Sequence, residues 1–263
     1  MSARRKPVFV ARDGGLWLDD LPVFVGDDSA LDSAILSLAA GTSPALIVTA
    51  NVDQTVAYST MTQVRGLLQK AAMITLDGMP LVWLARRLGV HAERQTGADA
   101  LVRMTSRSAA EGFTVAIVGG SDEAGEAAVA RLTQAHPGAS VTHVRLPSLS
   151  SASDPASALA VDELAALTPS VIFLCLGFPK QEEWYVHWAD RLPPGAYIGA
   201  GAAVDFAAGV RKRAPQWAQG IGAEWTWRLV QEPGRLWRRY LVDGWLFLPV
   251  LMRSLLRLGG QQR

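Results

Sequence analysis

The sequence has little of the chemistry on which several classes of protein depend. Cys175 is the one cysteine among 263 residues, so no internal disulfide can form and a reducing compartment is expected. The four histidines are scattered and no Cys-x-x-Cys pair occurs, which argues against a zinc site. The basic residues 1–6 precede an apolar stretch too short for a signal peptide. We therefore expect a cytoplasmic protein.

Long apolar runs without charge are also missing from the tail. The longest, Gly244 to Met252, has nine residues, whereas a helix that crosses a bilayer needs about 20. We expect no spanning segment. Hydrophobic residues nevertheless make up 49% of the chain, which is enough for a large buried core and excludes a mostly disordered protein.

Charge is distributed unevenly, although the net charge is only +1. Residues 1–12 carry four basic and no acidic residues, residues 13–210 carry 11 and 21, and residues 211–263 carry ten and three. Five of the nine tryptophans lie beyond Gly209. Tryptophan and arginine together are typical of a membrane interface, so we expect an anionic inner-leaflet membrane as partner and no nucleic acid. For any single tryptophan, packing onto the main domain is the alternative.

From Ala45 onward, short β-branched runs alternate with amphipathic segments of helix length. This pattern predicts a Rossmann-like, doubly wound α/β fold with a mostly parallel sheet. The predicted strands are Ala45–Thr49, Met73–Leu76, Val115–Val118, Val141–Val144, Val171–Leu176 and Tyr197–Ala200. The predicted helices are Ser29–Ala40, Val52–Lys70, Pro80–Leu88, Asp99–Glu111, Asp122–Ala135, Asp162–Leu167 and Lys180–Arg191.

The chain divides into two parts by composition. We assign residues 1–210 to the α/β core and residues 211–263 to a basic, Trp-rich helical appendage. Within the appendage, the amphipathic character of Leu241 to Leu258 predicts a helix that lies at a membrane surface.

Polar residues directly after the apolar runs are candidates for a site, because open α/β sheets bind ligands beyond the carboxyl ends of their strands. Asp77 is a candidate general base, since an aspartate is ionised at neutral pH. A turn before Pro80 explains it equally well. Asn51 is better explained as a helix cap in a capping box with Gln54. Thr49 has the ordinary alternative of a strand residue.

Two glycine turns precede predicted helices, Gly119-Gly120-Ser121-Asp122 and Gly177 to Gln181. Free backbone N–H groups and the positive helix end favour a phosphate there. The first turn lacks the glycine spacing of a dinucleotide fingerprint and has no acidic residue about 20 positions on. An NAD-dependent enzyme is therefore disfavoured.

Arginines of the tail are candidates to neutralise a diphosphate, since the planar guanidinium donates two parallel hydrogen bonds. A lipid surface, or a solvated helix face with paired glutamates, is the alternative for each of them. The candidates are Arg213, Arg228, Arg235, Arg238 and Arg239.

Taken in order, these blocks resemble the WecG/TagA/CpsF family of bacterial glycosyltransferases, from about Leu21 to Tyr240. The blocks are Thr49-Ala50-Asn51, Asp77-Gly78-Met79-Pro80, Arg94 to Asp99, Gly177 to Trp184, Gly201 to Asp205 with Ala208-Gly209, Arg213 to Trp217, Glu224 to Leu229, Glu232-Pro233 and Arg238 to Tyr240. The resemblance implies an inverting, metal-independent transfer of a hexose, of the N-acetylmannosamine type or a uronic acid, from a UDP-sugar. The implied acceptor is a polyprenyl-diphosphate-linked sugar, in cell-surface polysaccharide or teichoic acid synthesis.

The resemblance also implies residue roles. Asp77 would deprotonate the acceptor hydroxyl beside Thr49 and Asn51, and Gln181 would contact the transferred sugar or the diphosphate. Gly119, Gly120, Gly177, Pro179, Lys180 and Asp205 would hold the nucleotide, and the tail arginines would close over the diphosphate.

No resident cofactor is implied, because the UDP-sugar is a substrate. Homo-oligomerisation is left open. The competing interpretations are a soluble nucleotide-sugar-modifying Rossmann enzyme and a non-catalytic membrane-bound scaffold.

Overall fold

The computed structural model describes residues 9–146, 151–215, 226–227, 234 and 244–261. The strands in these ranges are β1 (Phe9–Arg12), β2 (Gly15–Leu18), β3 (Leu21–Val23), β4 (Pro44–Ala50), β5 (Met73–Leu76), β6 (Thr114–Val118), β7 (Ser140–Val144), β8 (Val171–Leu174) and β9 (Gly195–Gly199). The helices are α1 (Asp28–Ala39), α2 (Val52–Thr60), α3 (Thr62–Leu68), α4 (Met79–Arg87), α5 (Gly97–Glu111), α6 (Asp122–Ala135), α7 (Ala156–Leu167), α8 (Lys180–Trp188), α9 (Ala203–Ala208) and α10 (Gly244–Gln261).

All of these strands form one sheet, in the order β1-β2-β3-β5-β4-β9-β8-β6-β7. Every pairing from β3 to β7 is parallel. Successive side chains of a strand point to opposite faces, so Leu46 and Val48 of β4 enter one buried cluster and Ile47 enters the other. Helices therefore cover both faces, and the predicted doubly wound α/β fold is confirmed. Each of the six predicted strands is present within two residues of its predicted ends.

The antiparallel extension β1–β2–β3 was absent from the sequence prediction. Its strands have only three or four residues, too few for a period-2 pattern to be distinct. The signal that was available is the pair Asp13-Gly14, with φ of 54° and 73°. A two-residue loop with both φ angles positive is the preferred connection of a β-hairpin, and here it joins β1 to β2.

The single helix predicted over Val52–Lys70 is wrong, because two helices occupy this segment. Met61 separates them with extended backbone angles, φ −113° and ψ 115°. The residues before it, Ser59-Thr60, have side chains that compete for backbone hydrogen bonds, and Thr60 Oγ1 indeed donates to the carbonyl of Val56 at 2.9 Å. Helix α9 was not predicted either, since six residues carry too little periodicity.

Helix α10 packs against the core. Phe247 and Val250 are buried in the cluster that includes β1 and α2, and the backbone N–H of Phe9 donates to Ser254 Oγ at 2.9 Å. The opposite side of the helix exposes Trp245, Met252 and Leu256. Among the described residues, no helix is both long enough and apolar enough to cross a bilayer.

Candidate functional site

Three neighbouring strands bring the polar residues of the central blocks to one edge of the sheet. Ala50 of β4 lies opposite Leu76 of β5, and Val48 lies opposite Gly199 of β9. The backbone N–H of Asp77 donates to the carbonyl of Ala50 at 2.7 Å, which extends the ladder by one residue. The carboxyl ends of β4, β5 and β9 therefore meet, with Thr49, Asn51, Asp77 and the segment 199–201 side by side.

Thr49 is held by the strand next to it. Its buried hydroxyl donates to the carbonyl oxygen of Gly199 at 2.7 Å. The Thr49 side chain thus ties the end of β4 to the end of β9. Thr49 is therefore an ordinary strand residue of β4 and also lies at the edge that carries the candidate site.

Asn51 caps helix α2 in the predicted capping box. Its Oδ1 accepts from the N–H of Gln54 at 3.1 Å, and Oε1 of Gln54 accepts from the N–H of Asn51 at 2.9 Å. The capping interpretation is confirmed. The box also fixes the Asn51 side chain at the carboxyl end of β4.

Asp77 stands at the end of β5, half-buried. Gly78 follows with φ 146°, which strongly favours glycine, and α4 begins directly after it with Pro80 in its first turn. The position therefore fits both sequence interpretations, a turn before a helix and a carboxylate at the crevice.

Gln181 lies in the first turn of α8, beside the end of β9. Its Oε1 accepts from the backbone N–H of Gly201 at 3.2 Å, and its Nε2 donates to Glu182 Oε1 at 2.9 Å. A Cβ at position 199 would lie 2.5 Å from this Nε2, so Gly199 leaves the space that Gln181 occupies. The structure thus joins Gln181 to the edge that carries Thr49.

Glu182 lies in the block Gly177 to Trp184, but the sequence interpretation gave it no role. The carboxylate is fully buried in the protein and accepts from both Gln181 and Gln54. The available signal was its spacing, because position 182 shares a helix face with the buried Tyr185 three residues on.

The glycines predicted to bind the nucleotide differ in their surroundings. Gly119 and Gly120 have φ of 87° and 85°, and a Cβ on them would lie 2.5 Å from Leu176 and 2.8 Å from Val204. Close packing therefore already requires glycine at both positions. At Gly177, with φ 78°, a Cβ would meet nothing within 4 Å, so this turn is open.

The remaining members of the second turn lie at the start of α8. Pro179 precedes the first helical residue, and the exposed Lys180 is that residue. Gly177 contributes its carbonyl oxygen to the N–H of Gln181 at 3.1 Å. The turn is therefore hydrogen-bonded to Gln181, the residue that contacts the end of β9.

Two of the predicted ligands of nucleotide or diphosphate form ion pairs with the protein. Asp205 lies on α9 and pairs with Arg211 at 3.0 Å. Arg213 forms two hydrogen bonds with the carboxylate of Asp99, one of them 2.9 Å long. Arg94 lies 3.8 Å from the same carboxylate.

Burial raises the pKa of Asp99. Hydrogen bonds from Arg213 and Thr96, together with the charges of Arg213 and Arg94, lower it by more than burial raises it, so the resulting pKa is about 2. This ion-pair cluster adjoins the crevice. A Cβ at Gly97 would lie 2.8 Å from Cα of Ala200, so the segment that carries Asp99 packs on the end of β9. The arginines Arg228, Arg235, Arg238 and Arg239 lie outside the described residues.

The described residues contain no group of three or more His, Cys, Asp or Glu side chains that could hold a metal ion. They do contain a line of hydrogen-bonding side chains along the carboxyl edge of a parallel sheet, where α/β folds bind their ligands. Fold and site together define a Rossmann-like protein with polar, hydrogen-bonded side chains at that edge.

The chain belongs to the glycosyl transferase WecG/TagA/CpsF family, whose model matches residues 20–261. The resemblance inferred from the sequence blocks is thereby confirmed. A relative from Staphylococcus aureus strain MRSA252, an N-acetylglucosaminyldiphosphoundecaprenol N-acetyl-beta-D-mannosaminyltransferase, is 30% identical over 199 residues, which are 75% of this chain and 76% of that protein. The protein of the same name from strain MW2 is 29% identical over 199 residues, again 75% of this chain and 76% of that protein.

Proposed function

We propose that this protein is an inverting, metal-independent glycosyltransferase that moves a hexose from UDP to a polyprenyl-diphosphate-linked sugar. The hexose would be of the N-acetylmannosamine type or a uronic acid. Family membership and the names of the relatives support the transferase and its lipid-linked acceptor. The observation that carries the proposal is the placement of Asp77 beside Asn51 and Thr49 at the carboxyl edge of the sheet.

The proposed reaction is a single displacement. Asp77 takes the proton of the acceptor hydroxyl, and the oxygen forms a bond to the anomeric carbon from the face opposite UDP. The bond from that carbon to the diphosphate breaks at the same time, and UDP leaves with the electron pair. One carboxylate is sufficient for this chemistry, and the configuration at the anomeric carbon inverts.

The departing UDP needs positive charge and N–H donors. The open turn at Gly177, with Pro179, Lys180 and the start of α8, offers backbone N–H groups and a cation. We assign the diphosphate to this turn, and the transferred sugar to the region between Gln181 and Asp77. Gly119, Gly120 and Asp205 would border the nucleotide.

The arginines of residues 216–243 are proposed to cover the diphosphate. Arg213 is anchored to Asp99 beside the crevice, so the chain leaves the core close to the proposed site. Trp227 Nε1 donates to the carbonyl of Lys212 at 3.4 Å, so Trp227 lies beside the residue that precedes Arg213. Arg228 follows directly, and Arg235, Arg238 and Arg239 lie within 12 residues of Trp227.

Helix α10 is proposed to contact the inner leaflet of the membrane. Trp245, Leu248, Met252 and Leu256 are exposed large hydrophobic residues, and their spacing of three or four places them in one stripe of the helix. Arg253 and Arg257 directly follow Met252 and Leu256 in the sequence. A cytoplasmic enzyme that lies on the membrane in this way meets an acceptor that is anchored there by its lipid.

A donor screen tests the proposal. The protein is incubated with a polyprenyl-diphosphate N-acetylglucosamine analogue and a panel of UDP-hexoses, with and without a chelator, and products are identified by mass spectrometry and by NMR of the new linkage. We expect transfer from one UDP-hexose, unchanged by chelator, with inverted configuration. A sugar nucleotide altered without any acceptor would instead support a nucleotide-sugar-modifying enzyme, and no reaction with any donor would support a scaffold.

A further inference from the structure

A buried carboxylate lies directly behind the candidate site. Glu182, in the first turn of α8, is 0% exposed. Burial raises its pKa, hydrogen bonds from Gln181 and from its own backbone lower it by less, and the charge of Glu183 raises it slightly; the result is a pKa of about 7. Among the described residues, its second oxygen, Oε2, has no hydrogen-bond partner. A buried ionisable group reduces the free energy of unfolding. The contacts of Glu182 therefore indicate which role offsets this loss of stability.

The other oxygen of Glu182 accepts hydrogen bonds from two buried carboxamides. Oε1 lies 2.9 Å from Nε2 of Gln181 and 3.4 Å from Nε2 of Gln54. Both glutamines are 2% exposed. A carboxyl oxygen that carries no proton only accepts hydrogen bonds, whether the group is ionised or protonated on its other oxygen. The NH₂ groups of both glutamines therefore face Oε1 of Glu182, and their carbonyl oxygens face away from it.

This orientation directs the two carboxamide oxygens at the backbone of the site. Gln181 Oε1 receives the N–H of Gly201 at 3.2 Å, and Gln54 Oε1 receives the N–H of Asn51 at 2.9 Å. Either glutamine, if turned over, would present an NH₂ group to an N–H group and lose its bond. One carboxylate thus determines how two loops of the crevice are held.

We propose that Glu182 is a positioning residue for this site, which fixes the carboxamides of Gln181 and Gln54 and, through them, the segment 199–201 and the cap at Asn51. The inference rests on the proposed function, since it takes Gln181 and Asn51 as residues that contact substrate. Glu182 lies behind both and does not itself contact the sugar.

Two substitutions separate positioning from mere packing. Glu182→Gln keeps an acceptor oxygen at the same distance from the backbone. Glu182→Asp keeps the carboxyl group but withdraws its oxygens by about 1.5 Å, one carbon–carbon bond, so they no longer reach both carboxamides. Glu183→Gln is the matched control, because Glu183 is the next residue of α8 and also accepts from a glutamine, Gln63, at 2.8 Å, but at the surface.

The kinetic measurement compares kcat and the KM for the UDP-sugar. A displacement of about 1 Å can lower a rate about 10²-fold. We expect Glu182→Asp to lower kcat by about 10- to 100-fold with KM changed less than about 3-fold, and we expect Glu182→Gln and Glu183→Gln to retain kcat within about 3-fold. Equal kcat in the two Glu182 variants, or an equal loss in Glu183→Gln, would overturn the proposal.

A second measurement does not depend on activity. The side-chain ¹⁵N–¹H signals of Gln54 and Gln181 are recorded by NMR in the wild-type protein and in the Glu182→Gln and Glu183→Gln variants. Both signals are expected to shift in Glu182→Gln and to stay in place in Glu183→Gln. Signals that stay in place in both variants contradict the positioning role. A wild-type protein without transferase activity contradicts the proposed function instead, while the NMR result still decides whether Glu182 orients the two side chains.

Discussion

The guanidinium of Arg213 donates hydrogen bonds to the carboxylate of Asp99, 114 residues away in the sequence, and Nη2 lies 2.9 Å from Oδ2. Arg213 also lies 3.4 Å from the hydroxyl of Thr96, which caps the helix that carries Asp99. The chain that leaves the core after α9 is thereby bonded to the N-terminal end of α5. An arginine that the sequence offered as a diphosphate ligand thus also joins two segments of the protein.

Asp99→Asn is expected to reduce the free energy of unfolding at pH 7 by about 1 kcal/mol or less, because the pair is partly exposed and screened by water. The pKa of Asp99 is lowered to about 2 from 3.8. Its stabilising effect is therefore complete above pH 4 and lost as the pH falls through 2. Urea unfolding of both proteins between pH 7 and pH 3 measures the difference, which should begin to shrink only below pH 4.

The control for this pair is Glu126→Gln. Glu126 pairs with Arg145 on the open surface, where both side chains are more than half exposed. We expect no measurable change in its unfolding. If Glu126→Gln reduced the free energy of unfolding as much as Asp99→Asn does, the Asp99 pair would contribute no more to stability than an exposed ion pair.

Asp77→Asn is expected to lower kcat by about 10²–10⁴-fold, the usual contribution of a general base, because an amide cannot take the proton of the acceptor. Binding of the UDP-sugar, measured by calorimetry, should remain within about 3-fold. Asp190→Asn serves as control, since Asp190 is an exposed aspartate in the turn that follows α8. An unchanged turnover number in Asp77→Asn would refute the assignment of the base.

Glu182 is expected to make stability depend on pH near neutrality. Its pKa is raised from 4.5 to about 7 in the folded protein, so the folded state binds the proton more tightly than the unfolded state. The stabilisation is complete below pH 4.5 and is lost as the pH rises to 7. The expected loss is about 3 kcal/mol, at about 1.4 kcal/mol for each unit of pKa.

The measurement compares urea unfolding of the wild-type protein and Glu182→Gln from pH 4.5 to pH 8.5. The wild type should lose free energy of unfolding relative to the variant up to about pH 7, and the difference should then be constant. Two curves that run parallel across the whole range would show that Glu182 does not titrate in this window.

Leu256→Ser is expected to weaken binding to vesicles that contain anionic lipid by about 10-fold. Leu256 is 70% exposed on α10, and burying a leucine side chain contributes about 1.5–3 kcal/mol. Leu159→Ser is the matched control, because Leu159 is 76% exposed but lies on α7. Co-sedimentation with vesicles measures both. Equal losses in the two variants would argue against α10 as the membrane-binding helix.

Point substitutions suit this question better than removal of the tail. Phe247 and Val250 are buried in the main core, and Ser254 bonds to β1. A truncation before α10 would expose that part of the core, so a loss of function would then have two causes. Leu256→Ser changes the exposed stripe alone.

Much of the parallel sheet and of its carboxyl edge was predictable from the chain itself. Strands buried on both faces are continuous apolar runs, and the polar residue that ends each run marks the edge, as Thr49 and Asp77 do. The capping box of Asn51 and Gln54 was also predictable, because its two members are only three residues apart in the sequence. The short strands β1–β3 and the break at Met61 were missed, because each is decided by a few residues with weak periodicity.

What the sequence determined by itself was the set of elements and the residues at their ends, since periodicity, apolar runs and caps are properties of neighbouring residues. Tertiary structure alone decided which of those residues meet. Gln54 reaches Glu182 across 128 residues, and Thr49 reaches Gly199 across 150. These contacts depend on strand order and on the direction of each side chain. The physical reason is that hydrogen bonds and buried charges act over a few ångströms in space, whatever the separation along the chain.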